Sequence, residues 1–248
     1  MLTNNQEKLI RSLALRKNRK KSGLFVAEGL KLVKDLMSAG LQVENIFATD
    51  GPLEGFNGST PSQTISLQEM KRISFLETPS PVLAIVKQPS SSEKFLKNTG
   101  LVLLLDRIQD PGNMGTLLRT ALWYGVEQIA LVKGSVDVYN PKVVQASMGA
   151  LAHLKFVEKT AQEWLEWSTA HSRRLLVADM NGTPAAAMNW TAKDVLVLGN
   201  EGQGCDEVFK AAGHQVTLPG NAAKMESLNV AISGATLLYA YATASNEL

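Results

Sequence analysis

Short unbroken apolar runs alternate with amphipathic stretches along most of this chain, and the two kinds of run predict different elements. Residues 8–15, KLIRSLAL, place apolar side chains at helical spacing, and GLFVAEG (23–29) reads as a short strand or turn. In EGLKLVKDLMSAG (28–40), Leu30, Val33, Leu36 and Met37 form one stripe and Gly40 is the stop. VENIFAT (43–49), SLQEMKRIS (66–74) and SPVLAIVK (80–87) continue the alternation of strand and helix, so residues 1–90 predict a small α/β domain.

QPSSSEKFLKNTG (88–100) has the proline, serines, charges and glycine of an exposed connection, with 91–100 as the linker proper. Beyond it the pattern changes. LVLLLD (101–106), QIALVKG (128–134), RLLVADM (174–180), VLVLGN (195–200) and HQVTLP (214–219) are continuous apolar runs, as strands covered on both faces require. Helical segments near 115–124, 141–152, 161–172 and 204–212 and a final helix separate them. Residues 101–248 therefore predict an α/β domain built on a mostly parallel sheet with crossover helices.

Composition narrows the class. With 45% hydrophobic residues among 248, the chain has material for real cores. One cysteine, Cys205, rules out an internal disulfide framework and suits a reducing compartment, and no Cys/His cluster suggests a metal. The opening residues lack a signal peptide's apolar core, and no run reaches the roughly 20 apolar residues of a membrane span. These features predict a soluble cytoplasmic protein. The net charge of +2 is uninformative, but its distribution is not. Lys8, Arg11, Arg16, Lys17, Arg19, Lys20 and Lys21 follow one another with no acid between them. Such a cluster is either a phosphate-backbone footprint or a solvated helix face and loop.

Three strands end in unusual polar stretches, where open α/β sheets bind ligands. LLLDRIQDPGNMGTLLRTA (103–121) turns through Asp110, Pro111, Gly112, Asn113 and Gly115 into a helix carrying Arg119. Asp-Pro-Gly is ordinary turn chemistry, Asn113 suits a helix cap, and Arg119 suits an exposed helix face. VLVLGNEGQGCDEVF (195–209) crowds Gly199, Gly202 and Gly204 into one loop around Glu201. A dinucleotide fingerprint would need glycine where Glu207 stands, and would open the first βα unit rather than lie this late. The third stretch, TLPGNAAKMESLNV (217–230), enters an apolar helix at Ser227, a plain N-cap by composition. That leaves Asn229 polar in the first turn, where a helix mouth seats polar or anionic ligand atoms.

Together, N-x-G-x-x-x-R (113–119), G-N-E-G-x-G (199–204) and L-P…E-S-L-N-V (218–230) resemble the three motifs of the SpoU/TrmH family of RNA ribose 2′-O-methyltransferases. The resemblance covers roughly residues 100–245, in order, and residues 1–90 are similar to the small RNA-binding domain preceding the catalytic one in many members. It implies a SPOUT-type trefoil-knotted α/β fold, S-adenosylmethionine as methyl donor, no metal, and a homodimer with the donor site at its interface. It implies that Gly199, Leu218 and Leu228 hold the donor, with Asn200, Gly202 and Pro219 shaping the pocket. Asn113, Arg119, Glu201, Ser227 and Asn229 match the catalytic set, and Arg16, Lys17, Arg19 and Lys20 become candidate RNA contacts. Gly220, where members often carry methionine, and a slightly lengthened Asn221–Met225 depart from the pattern.

The chemistry implied is in-line attack of a ribose 2′-hydroxyl on the donor's methyl group. None of His153, His171 and His214 lies in a motif. A guanidinium with pKa above about 12 is an awkward base, so Arg119 is expected to stabilise the developing oxyanion while phosphate or water takes the proton. The other readings are a Rossmann-type nucleotide-dependent oxidoreductase and a non-catalytic RNA-binding module. The glycine spacing opposes the first, and the complete polar set opposes the second. The two-domain arrangement favours ribosomal over transfer RNA.

Overall fold

The computed structural model describes residues 1–49, 56, 60–92, 94, 96–221 and 223–244. Glu93 and Phe95 of the expected linker, Ala222 of the third motif and residues 245–248 lie outside the described residues. The chain divides into two compact units, Met1–Ser90 with Asp137–His153, and Ser91–Val136 with Leu154–Leu248.

The first unit begins with helices α1 (Asn4–Ser12) and α2 (Arg16–Ser22). They are followed by β1 (Leu24–Glu28), α3 (Leu30–Ser38), β2 (Val43–Ala48), β3 (Ser62–Thr64), α4 (Leu67–Ile73) and β4 (Val82–Lys87). Its sheet runs β1-β4-β2-β3, with β4 antiparallel to both neighbours and β2 parallel to β3. Ile10 and Leu13 join Val26, Phe47, Met70 and Ile85 in one core. The helix expected over 8–15 is therefore displaced toward the N-terminus, where the Thr3 side chain caps it in a box with Gln6.

The second unit starts with β5 (Val102–Leu105), α5 (Pro111–Trp123) and β6 (Gln128–Val132). Helix α6 (Pro141–Ala146) comes next in the chain but packs against β1 of the first unit. The helix expected over 141–152 ends there, and only a short 3-10 turn, Ala150–Ala152, follows. The second unit resumes with β7 (Lys155–Lys159), α7 (Ala161–Ala170), β8 (Arg174–Pro184) and β9 (Asp194–Leu198). It closes with α8 (Glu207–Ala212), β10 (His214–Thr217) and α9 (Val230–Ala244).

All six strands are parallel, in the order β10-β8-β9-β5-β6-β7. Every residue of β5, β6 and β9 is buried, which is why their sequences are unbroken apolar runs. Chain order reverses between β5 and β9, so the loops leaving their carboxyl ends face each other across one rim, as at a topological switch point. Helices α5 and α9 pack together on this sheet. Gly234 permits it, since a Cβ there would run into the side chains of Leu117 and Leu198.

Candidate active site

Each of the three motif loops is shaped by its own backbone chemistry. Asp110 caps α5 through a 2.7 Å bond from the Asn113 N–H to Oδ1, and Pro111 occupies the first helical position. Because Asp110 does the capping, the Asn113 side chain is left for other partners. At the third motif the helix starts later than the sequence suggested: α9 opens at Val230. Its cap is Asn229, whose Oδ1 accepts from the N–H groups of Ala231 (2.9 Å) and Ile232 (3.3 Å), rather than Ser227. Ser227 and Leu228 stand in the exposed loop before it.

The glycine loop is a closed hairpin. Asn200 and Gly204 exchange backbone hydrogen bonds of 3.1 and 2.9 Å, and Asn200 Oδ1 accepts from the N–H groups of Gly202 and Gln203. A Cβ on Gly199 would run into the backbone of Gly204 and Cys205. The helix after the loop, α8, begins only at Glu207, behind an Asp206 cap. This is not the loop-into-helix geometry that grips a dinucleotide pyrophosphate.

Both feet of the hairpin are braced by two residues that the sequence pattern did not single out. Asn200 Nδ2 donates to the carbonyl of Arg107 at 3.0 Å, and the Asp206 N–H donates to Asp106 Oδ2 at 2.6 Å. Asp106 is fully buried at the end of β5 and also accepts from Arg107 Nε and Nη2 at 2.8 and 3.1 Å. The hydrogen bond to Asp106 raises the pKa of the Arg107 guanidinium. Arg107 has φ +57, a left-handed backbone uncommon outside glycine. Behind the loop, burial pushes the Cys205 thiol up to about 12, which makes it an inert packing residue.

One hydrogen-bond chain joins the three motifs. Asn229 Nδ2 donates to Asn113 Oδ1 at 3.0 Å, and Asn113 Nδ2 donates to Glu201 Oε1 at 2.8 Å. Its direction follows from donor and acceptor inventory. The α9 N–H groups require the oxygen of Asn229, so its nitrogen faces Asn113; that fixes Asn113 in turn, and its nitrogen meets an acceptor-only carboxylate. Residues 88 and 116 positions apart are thereby locked in one orientation.

Beside this chain lies an open cavity of about 890 Å³ over the carboxyl ends of β9 and β10 and the middle of β8. Of the expected donor residues, Gly199, Asn200, Leu218, Pro219 and Leu228 line it, and so do Glu201, Ser227 and Asn229 of the expected catalytic set. Gly202 is outside the lining, though its N–H helps to close the hairpin. Asn113 reaches the cavity only through Glu201 and Asn229. Arg119 is on the exposed face of α5 and does not line the cavity of its own chain.

In the first unit, Arg16, Lys17 and Lys20 are exposed on α2. Arg19 is not. It is 1% exposed, its Nη1 donates to the carbonyls of Leu13 (2.7 Å) and Ala14 (2.9 Å), and its Nε and Nη2 meet Asp137 Oδ2 at 2.7 and 2.6 Å. Burial and pairing make Arg19 a structural cation, so its assignment as an RNA contact is corrected. Among the described residues there is no cluster that would hold a metal ion, and no helix is long and apolar enough to cross a membrane.

The sequence profile of the SpoU rRNA Methylase family matches residues 100–239, the stretch that carries all three loops. The chain belongs to this family. That membership makes it an S-adenosylmethionine-dependent RNA 2′-O-methyltransferase. The profile of the MRM3-like substrate binding domain matches residues 4–84 of the same SpoU-family chain. Over 242 residues it is 30% identical to the 23S rRNA (guanosine(2553)-2′-O)-methyltransferase RlmP of Bacillus subtilis (strain 168), with 95% of each chain covered. The mitochondrial rRNA methyltransferase 3 of Homo sapiens is 30% identical over 186 residues, which are 68% of this chain and 43% of the human protein. Among solved structures, a TrmH-family protein from Porphyromonas gingivalis matches with TM-score 0.88 and 36% identity, over 97% of this chain and 98% of that one. An AdoMet-bound rRNA methyltransferase from Sinorhizobium meliloti matches with TM-score 0.86 and 26% identity, over 97% and 95%.

Proposed function

We propose that this chain methylates the 2′-hydroxyl of one nucleotide of ribosomal RNA, in the cytoplasm and as a homodimer, with the chain between β9 and α9 forming the trefoil knot that its family resemblance implies. The observation that carries the reading is the Asn229–Asn113–Glu201 chain, which fixes three distant motifs in one orientation at the edge of the cavity.

The cavity fits S-adenosylmethionine. Its volume lies within the roughly 300–1,000 Å³ usual for cofactor sites. Its apolar lining (Leu198, Val216, Leu237) suits an adenine, and the closed glycine hairpin offers backbone groups at the rim. When bound, the donor supplies an electrophilic methyl group on a sulfonium. The protein's share is then positioning: Gly199, Leu218 and Leu228 would hold the donor, and the locked Glu201 and Asn229, with Ser227, would orient the ribose. As the 2′-oxygen bonds to the methyl carbon and the sulfur–carbon bond breaks, the hydroxyl proton leaves to phosphate or water. Arg119 would steady the negative charge on the oxygen.

Because Arg119 is exposed and outside the lining of its own cavity, we assign it to the site of a second copy. The α5–α9 pair supports that arrangement. Trp123, four residues along the same helix face, is 79% exposed, and Ile232 and Tyr239 of α9 are more than half exposed. Exposed Arg16, Lys17 and Lys20 would contact RNA phosphates. Replacing these three by glutamine is expected to weaken RNA binding and to flatten the slope of log affinity against log salt by roughly 2 to 3. Arg19→Gln should instead lower the unfolding midpoint in urea; an unchanged salt slope in the triple variant returns α2 to a solvated face.

The direct test is transfer from labelled S-adenosylmethionine to ribosomal RNA of a strain lacking this protein, followed by mapping of the alkali-resistant linkage. Label fixed at one 2′-oxygen is expected. Donor binding without label on ribosomal RNA, but with label on transfer RNA, would overturn the substrate assignment.

A further inference from the structure

Strand β8 is irregular where it passes the cavity. His214 and Gln215 of β10 pair with Leu176 and Val177, but Val216 and Thr217 pair with Thr183 and Pro184. Residues 178–182 therefore have no opposite number on β10, and this excursion places Ala178, Asp179 and Met180 in the cavity lining. Such bulges re-aim side chains next to sites.

The excursion is held at several points. Thr217 Oγ1 donates to the carbonyl of Met180 at 3.0 Å, and the Asn181 N–H donates to Asp179 Oδ1 at 3.0 Å. Gly182, with φ +154, lies so close to β10 that a Cβ would come within 2.5 Å of the Gln215 carbonyl oxygen. Asp179 is half-buried, and the Asn181 bond is the one hydrogen bond of its side chain among the described residues. Lys210, which feels its charge, is already paired with Glu207 at 2.9 Å. Asp179 thus brings an acceptor-only carboxylate with spare lone pairs to the cavity wall, on a segment that exists apart from the strand pairing.

Resting on the donor assignment above, we infer that Asp179 binds the ribose diol of the methyl donor and sets the affinity for it. Two considerations choose the diol over the donor's charged end. A carboxylate against the sulfonium would stabilise the charged ground state more than the transition state, in which that charge disperses, and would slow the reaction. A vicinal diol offers two hydroxyl donors to one carboxylate, and α/β sheets use an acid in this way beside a nucleotide ribose. Glu201, the other acid in the lining singled out by the motifs, is already held by Asn113.

Calorimetric titration of the full chain tests this without turnover. The probes are S-adenosylmethionine, 5′-methylthioadenosine, which keeps the diol but lacks the sulfonium and the amino-acid tail, and 2′-deoxy-5′-methylthioadenosine. Asp179→Asn keeps the oxygen that accepts from Asn181 and is expected to fold as the parent does; Asp179→Ser is the second variant. The expected result is a loss of about tenfold or more for S-adenosylmethionine and methylthioadenosine alike, with little change for the deoxy probe. Weakening confined to S-adenosylmethionine would move Asp179 to the amino-acid end and overturn the proposal, as would unchanged affinity for methylthioadenosine. If the unaltered chain bound no S-adenosylmethionine, the donor assignment itself would fail and this proposal with it.

Discussion

Arg119→Ala is expected to cut methyl transfer by about 10³-fold, equivalent to about 4 kcal/mol of transition-state stabilisation, while donor affinity and thermal midpoint stay at parental values. The separation follows from its place: the side chain is exposed on α5, outside the cavity of its own chain, so its loss leaves that cavity intact, and its proposed role across the subunits is toward the ribose oxygen rather than the donor. Single-turnover rates and donor titrations of the same sample give both halves of the result. The proposed cross-subunit role adds a sharper expectation. An Arg119→Ala chain has an intact cavity, and a chain whose cavity is disabled still carries Arg119. Random re-pairing of the two should restore one working site in half of the dimers, about a quarter of parental activity. Failure to complement would return Arg119 to its own subunit or to no role.

Gly199→Ala is expected to abolish useful donor binding, weakening it by at least about 100-fold, and to cost about 3 kcal/mol of stability. The added methyl would overlap the backbone of Gly204 and Cys205, and neither is the end of a flexible side chain that might swing away. To relieve the overlap the hairpin must open, losing the paired Asn200–Gly204 bonds at about 1 kcal/mol each. Glu201 would move with it and the chain through Asn113 would break. For a unit of this size the stability loss corresponds to a fall of roughly 6–12 °C in thermal midpoint. An alanine variant that titrates the donor as the parent does would show that the closed hairpin is irrelevant to binding. This variant, if its dimer persists, is the natural partner for the re-pairing test.

The second unit was legible because its chemistry is written locally. Apolar runs gave β5, β6 and β9, and glycine, proline and asparagine at their ends marked the loops that line the cavity. What stayed hidden depended on partners distant in sequence. Strand β7, KFVEK, is too short and too mixed to stand out, and it forms because β6 offers it a parallel edge. Helix α2, RKNRKKS, has no apolar stripe, and β3 has three residues. The burial of Arg19 turns on an aspartate 118 positions away, which no reading of α2 could supply. At the site, Ser227 and Asn229 are both good caps, and only the course of the loop makes α9 begin at Val230 rather than two residues earlier. Asp106 and Arg107 lay inside the first motif's stretch, but their bracing role appears only once β5 and the glycine hairpin are neighbours.

The brief passage of residues 137–153 into the first unit has a practical outcome for modularity. A fragment ending at residue 90 would lack α6, which covers β1, and Asp137, which neutralises Arg19. It would be left with a guanidinium built for burial, no counter-charge, and an uncovered sheet face. The first unit is therefore not a bead that recombination or a protease can detach at residue 90 and leave whole. Exchange between relatives has to move the two segments together, and shuffling only the first 90 residues should yield chains that aggregate rather than ones with a new RNA preference.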